Sequence, residues 1–340
     1  MGFTEDHTAY IKRLKVSLAK ISDLDLARKR LTYIRWKVSE NLDKLLFEFE
    51  TNVKKNDAGI HWCPDQASAL EALNKHLKPF RKIEFYRQSA VNHFVNALDL
   101  NIPEPAEEPE VVVIGAKFIM ANTGNFYSVF NSSAEYEKAI NAKKIIVIAG
   151  IDSVLALQSE LFLAKQLYAV FETGKLHYEA ETLGRPGRVR GLNTEVVLLL
   201  TDLGKHNLLD LPVHRPLFSL LNFDLPQVCP MQQLEYEPEN RGKQDTLTYV
   251  LNAFMNGLQQ HRSVLEGNYG LNLLNQYLPY DIDLYEQILD ARAILHQDDR
   301  NSLIDKLMDT DKSSAALHPK KFADAAKFLK YAERNFFGKL

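Results

Sequence analysis

Four thiolates at the spacing C-x2-C-x2-C-x3-C-P hold an iron–sulfur cluster of the bacterial type, and one stretch of this chain keeps that frame after losing most of its thiols. In the run from Ser219 to Met231 the four ligand positions read Ser219, Asn222, Leu225 and Cys229, with Pro230 following. Further on, the run from Asn268 to Pro279 fits the same frame with Asn268, Leu271, Leu274 and Leu278 where thiolates would stand. Serine and asparagine bind metals in other settings, but a leucine side chain has no donor atom. The spacing therefore predicts a scaffold with no iron–sulfur cluster and no other metal, the leucines filling the volume that clusters would occupy.

Other residues offer weaker chemistry. Asn122-Thr123-Gly124-Asn125 lies between two β-rich runs. There a glycine and short polar side chains can present N–H groups to an anion, or form an ordinary tight turn. The stretch Gly184 to Gly191 places Arg185, Arg188 and Arg190 on one loop, suited either to clamping a phosphate or carboxylate or to a solvated surface. His61 beside Trp62 reads as a packed pair or as a ligand. His206, His214 and His261 lack the i, i+4 pairing of a helical zinc site. No GxGxxG follows a strand, and there is no GxxxxGK[ST], no HExxH and no G-x-S-x-G elbow. No cofactor is expected.

Composition narrows the partners. The 340 residues are enough for about two domains, with 46% hydrophobic and 25% charged residues, as in ordinary globular proteins. A formal net charge of −3 provides no basic field for nucleic acid or for an anionic membrane. Two cysteines fit a reducing compartment without a disulfide framework. The first residues lack the basic-then-apolar layout of a signal peptide. The most apolar stretch, Ile145 to Phe171, contains Asp152, Glu160 and Lys165, which argues against membrane insertion. The expectation is a cytoplasmic protein.

The elements that must position these residues fall into three parts. Residues 1–58 form a helical arm, with Leu31, Ile34, Val38, Leu42, Leu45 and Phe49 at helical spacing. Residues 59–211 alternate strands and helices. Strands are expected at Gly59–Cys63, 82–86, Val111–Ala121, Phe126–Asn131, Lys144–Ala149, Leu176–Thr182 and Glu195–Thr201, and helices at Asp65–Leu77, Ser89–Leu98, Ala134–Ala142 and Ser153–Phe171. That alternation predicts an α/β layer with a mainly parallel sheet. The run Asn101 to Glu110, with three prolines, is a stiff acidic linker. Residues 212–340 read as a helical, loop-rich tail broken by prolines.

Colinear motifs across almost the whole chain carry a family resemblance. Gly59-Ile-His-Trp62 resembles an entry motif G-x-V-H-W, and Ile114 to Gly124 resembles T-G-A-x-F-x-I-A-E-T-G. Ile145 to Val154 resembles a strand followed by V-G-I-E-K-I-V, Glu172 to Lys175 resembles A-T-G-Q, and Val197 to Lys205 resembles V-L-L-D-N-G-R. The two degenerate frames follow in order, the second leading into Ile282-Asp283-Leu284. Together these resemble the LUD-domain family, specifically its B-type iron–sulfur lactate utilization proteins.

The resemblance implies a middle domain with the fold shared by ribose-phosphate isomerases, glucosamine-phosphate deaminases and CoA transferases, and a ferredoxin-like helical tail. It also implies protein partners in a lactate-utilization-type complex, whose B-type subunit relays electrons. The chain departs from the pattern in ways that bear on function. The family's E-T-G has become Asn122-Thr123-Gly124, removing the carboxylate that a CoA-transferase mechanism would use. A longer family segment is reduced to residues 85–109, with Arg87 and Ser89 its nearest remnants. What remains is an expected anion-binding site of Asn122, Thr123, Gly124, Asn125 and Arg87. It fits a non-redox accessory or regulatory subunit, or alternatively a small-molecule enzyme of sugar-phosphate or CoA-related chemistry at the sheet edge.

Overall fold

A computed structural model describes residues 5–56, 58–86, 88, 90–91, 94–95, 106–188, 194–210, 215–225, 246–259 and 274–314. It is a mixed α/β structure with a mainly parallel central sheet. The strands are β1 (Ile60–Cys63), β2 (Ile83–Phe85), β3 (Val111–Gly115), β4 (Phe118–Met120), β5 (Asn125–Phe130), β6 (Lys144–Gly150), β7 (Val154–Leu155), β8 (Ala180–Gly184), β9 (Gly187–Arg188) and β10 (Glu195–Thr201). Five of them lie side by side in parallel in the order β1-β10-β6-β3-β2, and β9 adds an antiparallel pair to β10. Central β6 reads Lys-Ile-Ile-Val-Ile-Ala-Gly and is buried throughout, as a strand covered on both faces must be.

Alternation assigns the faces. Val111, Val113, Ile146, Ile148, Val197 and Leu199 point to one side, where Ala69, Ala72 and Leu73 of the helix Gln66–Leu77 pack on them. That helix starts where the sequence places it. Asp65 accepts from the Ser68 N–H and Ser68 bonds back to the Asp65 N–H, closing a capping box.

Three sequence expectations are corrected where the chain builds its second sheet. The run Val111–Ala121 is two strands, not one. The Ala116 N–H bonds to Ile148 O of the central sheet, and the next N–H, of Lys117, bonds to Tyr127 O of a second sheet ordered β7-β4-β5-β8. The expected helix Ser153–Phe171 begins only at Leu161, because Val154 and Leu155 pair with β4. The strand expected at Leu176–Thr182 runs instead from Ala180 to Gly184, in antiparallel pairing with β5.

The N-terminal residues form three helices, α1 (Glu5–Leu18), α2 (Leu24–Glu40) and α3 (Leu42–Lys55). In α3 the buried Leu42, Leu45, Leu46, Phe49 and Val53 follow one helical face. Polar side chains fasten this arm to the α/β layer. Tyr10 OH donates to Phe171 O at 2.6 Å, Asn52 Nδ2 donates to Ala121 O at 2.8 Å, and the fully buried Arg35 donates to the carbonyls of Asp152 and Val154. Among the described residues no strand follows Thr201. The chain divides into compact units Met1–Gln287 and Ile288–Leu340, the second containing most of the helix Leu284–Ser314. No described helix is long and apolar enough to cross a membrane.

Candidate functional site at the carboxyl end of the sheet

The change of sheet after β3 leaves Lys117 just beyond the carboxyl end of a parallel strand, the place where open α/β sheets gather ligands. Its side chain turns inward. Nζ lies 2.5 Å from Glu172 Oε1 and 2.8 Å from Asp224 Oδ2, and 5.1 Å from the centre of the Tyr168 ring. Glu172 comes from the last turn of the helix Leu161–Thr173, which ends at Gly174 in the left-handed conformation (φ 74°). Its Oε2 accepts from Tyr178 OH at 2.5 Å, and its Oε1 also accepts the Asp224 N–H at 3.1 Å. Beneath the ammonium, Tyr168 OH and Tyr280 OH share a short hydrogen bond.

Burial drives the protonation of this cluster. It pulls the Lys117 ammonium down, but the Asp224 and Glu172 carboxylates outweigh it and the pKa ends well above the usual lysine value. Glu172 is pushed up to about 7 by burial, against the pull of Lys117. Burial and the neighbouring Glu172 also raise Tyr178. A carboxyl near neutrality beside an ammonium and a phenol is an arrangement able to hold or hand over a proton.

A cavity of about 30 Å3 adjoins the cluster, lined among others by Gln88, Gly115, Lys117, Val129, Asn222 and Asp224. It has room for about one water molecule. Gln88 spans it, accepting the Gly115 N–H and donating to Val129 O.

Asn222 and Asp224 belong to the first degenerate cysteine frame. Asn222, at the frame's second ligand position, donates through Nδ2 to Lys117 O. Five frame positions lie within the described residues: Ser219, Asn222, Leu225, Leu274 and Leu278, all buried. Three of the five are leucines, so this set of side chains does not fit a thiolate-ligated cluster. Cys229, Asn268 and Leu271 lie outside the described residues. Cys63, the described free cysteine, is buried in β1, and burial raises its thiol to about 11. Among the described residues no group of three His, Cys, Asp or Glu side chains is placed to hold a metal ion.

The turn at 122–125 spends its N–H groups inside the protein. Asn122 donates to Ala156 O, Thr123 and Gly124 to Met120 O, and Asn125 to Thr123 Oγ1. Gly124 has φ 71°, and a Cβ there would come within 2.8 Å of the Val53 nitrogen. The turn is therefore pressed against the end of α3 and tolerates only glycine at that point. Asn122 Oδ1 accepts the Gln158 N–H at 3.0 Å, and Asn125 Nδ2 donates to Gln158 Oε1 at 3.0 Å. Asn122 Oδ1, Thr123 Oγ1 and Asn125 Nδ2 are thus engaged within the protein as well. Arg87 lies outside the described residues, as do Arg190 of the arginine loop and His214 and His261. Arg185 bonds to Asn56 Oδ1.

Sequence reading missed Lys117, Glu172 and Asp224, although all three stand inside motif runs of the sequence. It also missed a cluster at the opposite end of the sheet. There His61 Nε2 and His76 Nε2 are 2.8 Å apart, Lys144 Nζ is 3.2 Å from His76 Nδ1, and Lys144 pairs with Glu195 at 3.1 Å. The parallel register sets Lys144 opposite Glu195.

No protein-family model matches the chain, and no curated protein matches it. Among solved structures, the chain is similar to the crystal structure of a DUF162 (LUD-domain) family protein from Deinococcus radiodurans. Identity is 16%, the match covers 47% of this chain and 98% of that one, and the TM-score is 0.35. Likeness of that degree carries no argument about activity.

Proposed function

We propose that this chain is a clusterless protein of the LUD type, a non-redox accessory or regulatory subunit that binds protein partners of a lactate-utilization-type assembly in the cytoplasm. The observation that carries the reading is the fate of the degenerate frames. Leu225, Leu274 and Leu278 are buried at ligand positions, and Asn222 and Asp224 bond to the strand-end lysine of the α/β layer. A segment that would hold redox centres serves instead to pack and close the sheet edge. Removing two electrons from a hydroxy acid needs an acceptor such as a flavin, a nicotinamide or a metal centre, and the chain carries no dinucleotide fingerprint. A small anion, in this reading, meets Asn122, Thr123, Gly124 and Asn125, together with Arg87.

A second reading, a small-molecule enzyme of sugar-phosphate or CoA-related chemistry at the sheet edge, is favoured by one specific feature. Lys117, Glu172 and Asp224 meet at the carboxyl end of β3 beside a cavity. Assay of the isolated full chain with L-lactate and an artificial electron acceptor tests the first reading. No turnover above a heat-denatured control is expected, and turnover would overturn it. Non-redox turnover of a sugar phosphate or acyl-CoA, abolished by Glu172→Gln, would establish the second instead.

A further inference from the structure

The amino end of the parallel sheet holds an open groove of about 800 Å3, with Glu71, Asn74, Lys75 and Lys78 on its rim and Leu77, Phe80 and Ile83 forming its apolar floor. That volume is within the range of small-molecule sites. We propose that the groove binds an aromatic phosphate monoester, its phosphate held between Lys75 and Lys78 and its ring on Phe80 and its apolar neighbours.

Charge selects the ligand class. Lys75 and Lys78 are exposed and three residues apart at the end of one helix, which sets them side by side on its surface. Two ammonium groups at that spacing suit a dianion, for which lysine acts as a point charge. The single acid on the rim is Glu71. Behind the floor, Lys144 Nζ lies 5.9 Å from the centre of the Phe80 ring and is paired with Glu195.

The histidine pair feels one lysine of this groove, Lys75, together with Lys144. Lys144 is a donor, so His76 Nδ1 must accept, which leaves the His76 proton on Nε2. His76 therefore donates to His61 Nε2, and the His61 proton sits on Nδ1. Burial, then Lys144, His61 and Lys75, lower His76 to about 4, with Glu195 opposing. Burial, Lys75 and Lys144 lower His61. A dianion on Lys75 and Lys78 offsets part of that positive field, so both imidazoles should take up protons more readily when the groove is filled.

Titration of the full chain with phenyl phosphate, inorganic phosphate and phenol, followed by NMR of the histidine ring protons and of the backbone amides, tests this. Phenyl phosphate is expected to shift amides of residues 71–83 and to raise the titration midpoints of His61 and His76. It should also bind more tightly than inorganic phosphate, and phenol should leave the midpoints where they were. The surface variant Lys75→Gln/Lys78→Gln, which removes no buried group, should weaken phenyl phosphate about tenfold, roughly 1.4 kcal/mol. Spectra unchanged by phenyl phosphate, or equal affinity in the double variant, would overturn the proposal. Equal binding of phenyl phosphate and inorganic phosphate would overturn the role given to the apolar floor.

Discussion

At the carboxyl end of the parallel sheet, Lys117 is closed off between Glu172 and Asp224, over an aromatic ring, beside a cavity of about 30 Å3. At the amino end, Lys144 is paired with the half-exposed Glu195 and passes a hydrogen bond to His76, beside a groove of about 800 Å3. Both ends carry a lysine, a carboxylate partner and a group whose pKa is displaced. The lysines are about equally buried, their side chains 9% and 11% exposed, and the difference lies in the carboxylate partner, Glu172 at 9% and Glu195 at 44%. Where water is excluded, the charges must satisfy one another, and the cluster becomes part of the scaffold. Where water reaches one partner, as at Glu195, the pair is screened and weaker than a fully buried one.

The largest expected effect breaks the closed end. Lys117→Ala leaves Glu172 buried without its cation and should cost about 3–5 kcal/mol, whereas Lys144→Ala, which leaves the half-exposed Glu195 to water, should cost less. Urea denaturation midpoints at constant m-value measure both. Equal losses would erase the contrast between the two ends.

Next in size are the leucines at the frame positions. Leu274 and Leu278 have no exposed surface, so truncating either to alanine should cost about 2–5 kcal/mol through lost burial and a residual cavity. Tolerance of the change in the same urea experiment would mean that these side chains do not fill a core.

The two ends should also respond to pH in opposite directions. Glu172 titrates at about 7 in the fold, up from 4.5, so its contribution to stability is fully present below pH 4.5 and is lost as pH rises through 7. His76 falls from 6.5 to about 4, so its contribution is present above pH 6.5 and is lost as pH falls through 4. Thermal melts between pH 4 and 7 should show Glu172→Gln removing a loss of stability with rising pH and His76→Gln removing a loss of stability with falling pH. A variant that leaves its own slope unchanged would remove that group from the account.

The smallest effect concerns the turn. Asn122 is exposed, and its Oδ1 accepts a single N–H, that of Gln158. Asn122→Ala should therefore cost no more than about 1 kcal/mol, and a larger loss in thermal melts would show that the turn carries more of the fold than its contacts suggest.

Local signals predicted local structure well. The Asp65 cap, the apolar run of β6 and the β-branched start of β10 are each read within a few residues, and the structure has them at those positions. Sheet changes were not legible, because Val111 to Met120 is uniformly apolar apart from Lys117, and nothing in a run of hydrophobic residues says which sheet each half joins. The buried lysine marks the break, a signal that became meaningful only with its partners in place. Those partners lie 55 and 107 residues away, beyond any spacing rule. His61 and His76 are 15 residues apart, and a search for i, i+4 pairs passes over them, since a strand-to-helix connection brings them together. The two frames were legible because a ligand spacing can be read whatever residues stand at its positions.

The central claim is that buried side chains have replaced cluster ligands, and absorption spectroscopy with iron and sulfide analysis of anaerobically purified full-length protein tests it most directly. The account predicts a colourless protein with no band near about 400 nm, where thiolate-ligated clusters absorb, and neither iron nor sulfide in stoichiometric amount. A brown protein carrying both in stoichiometric amount would contradict it.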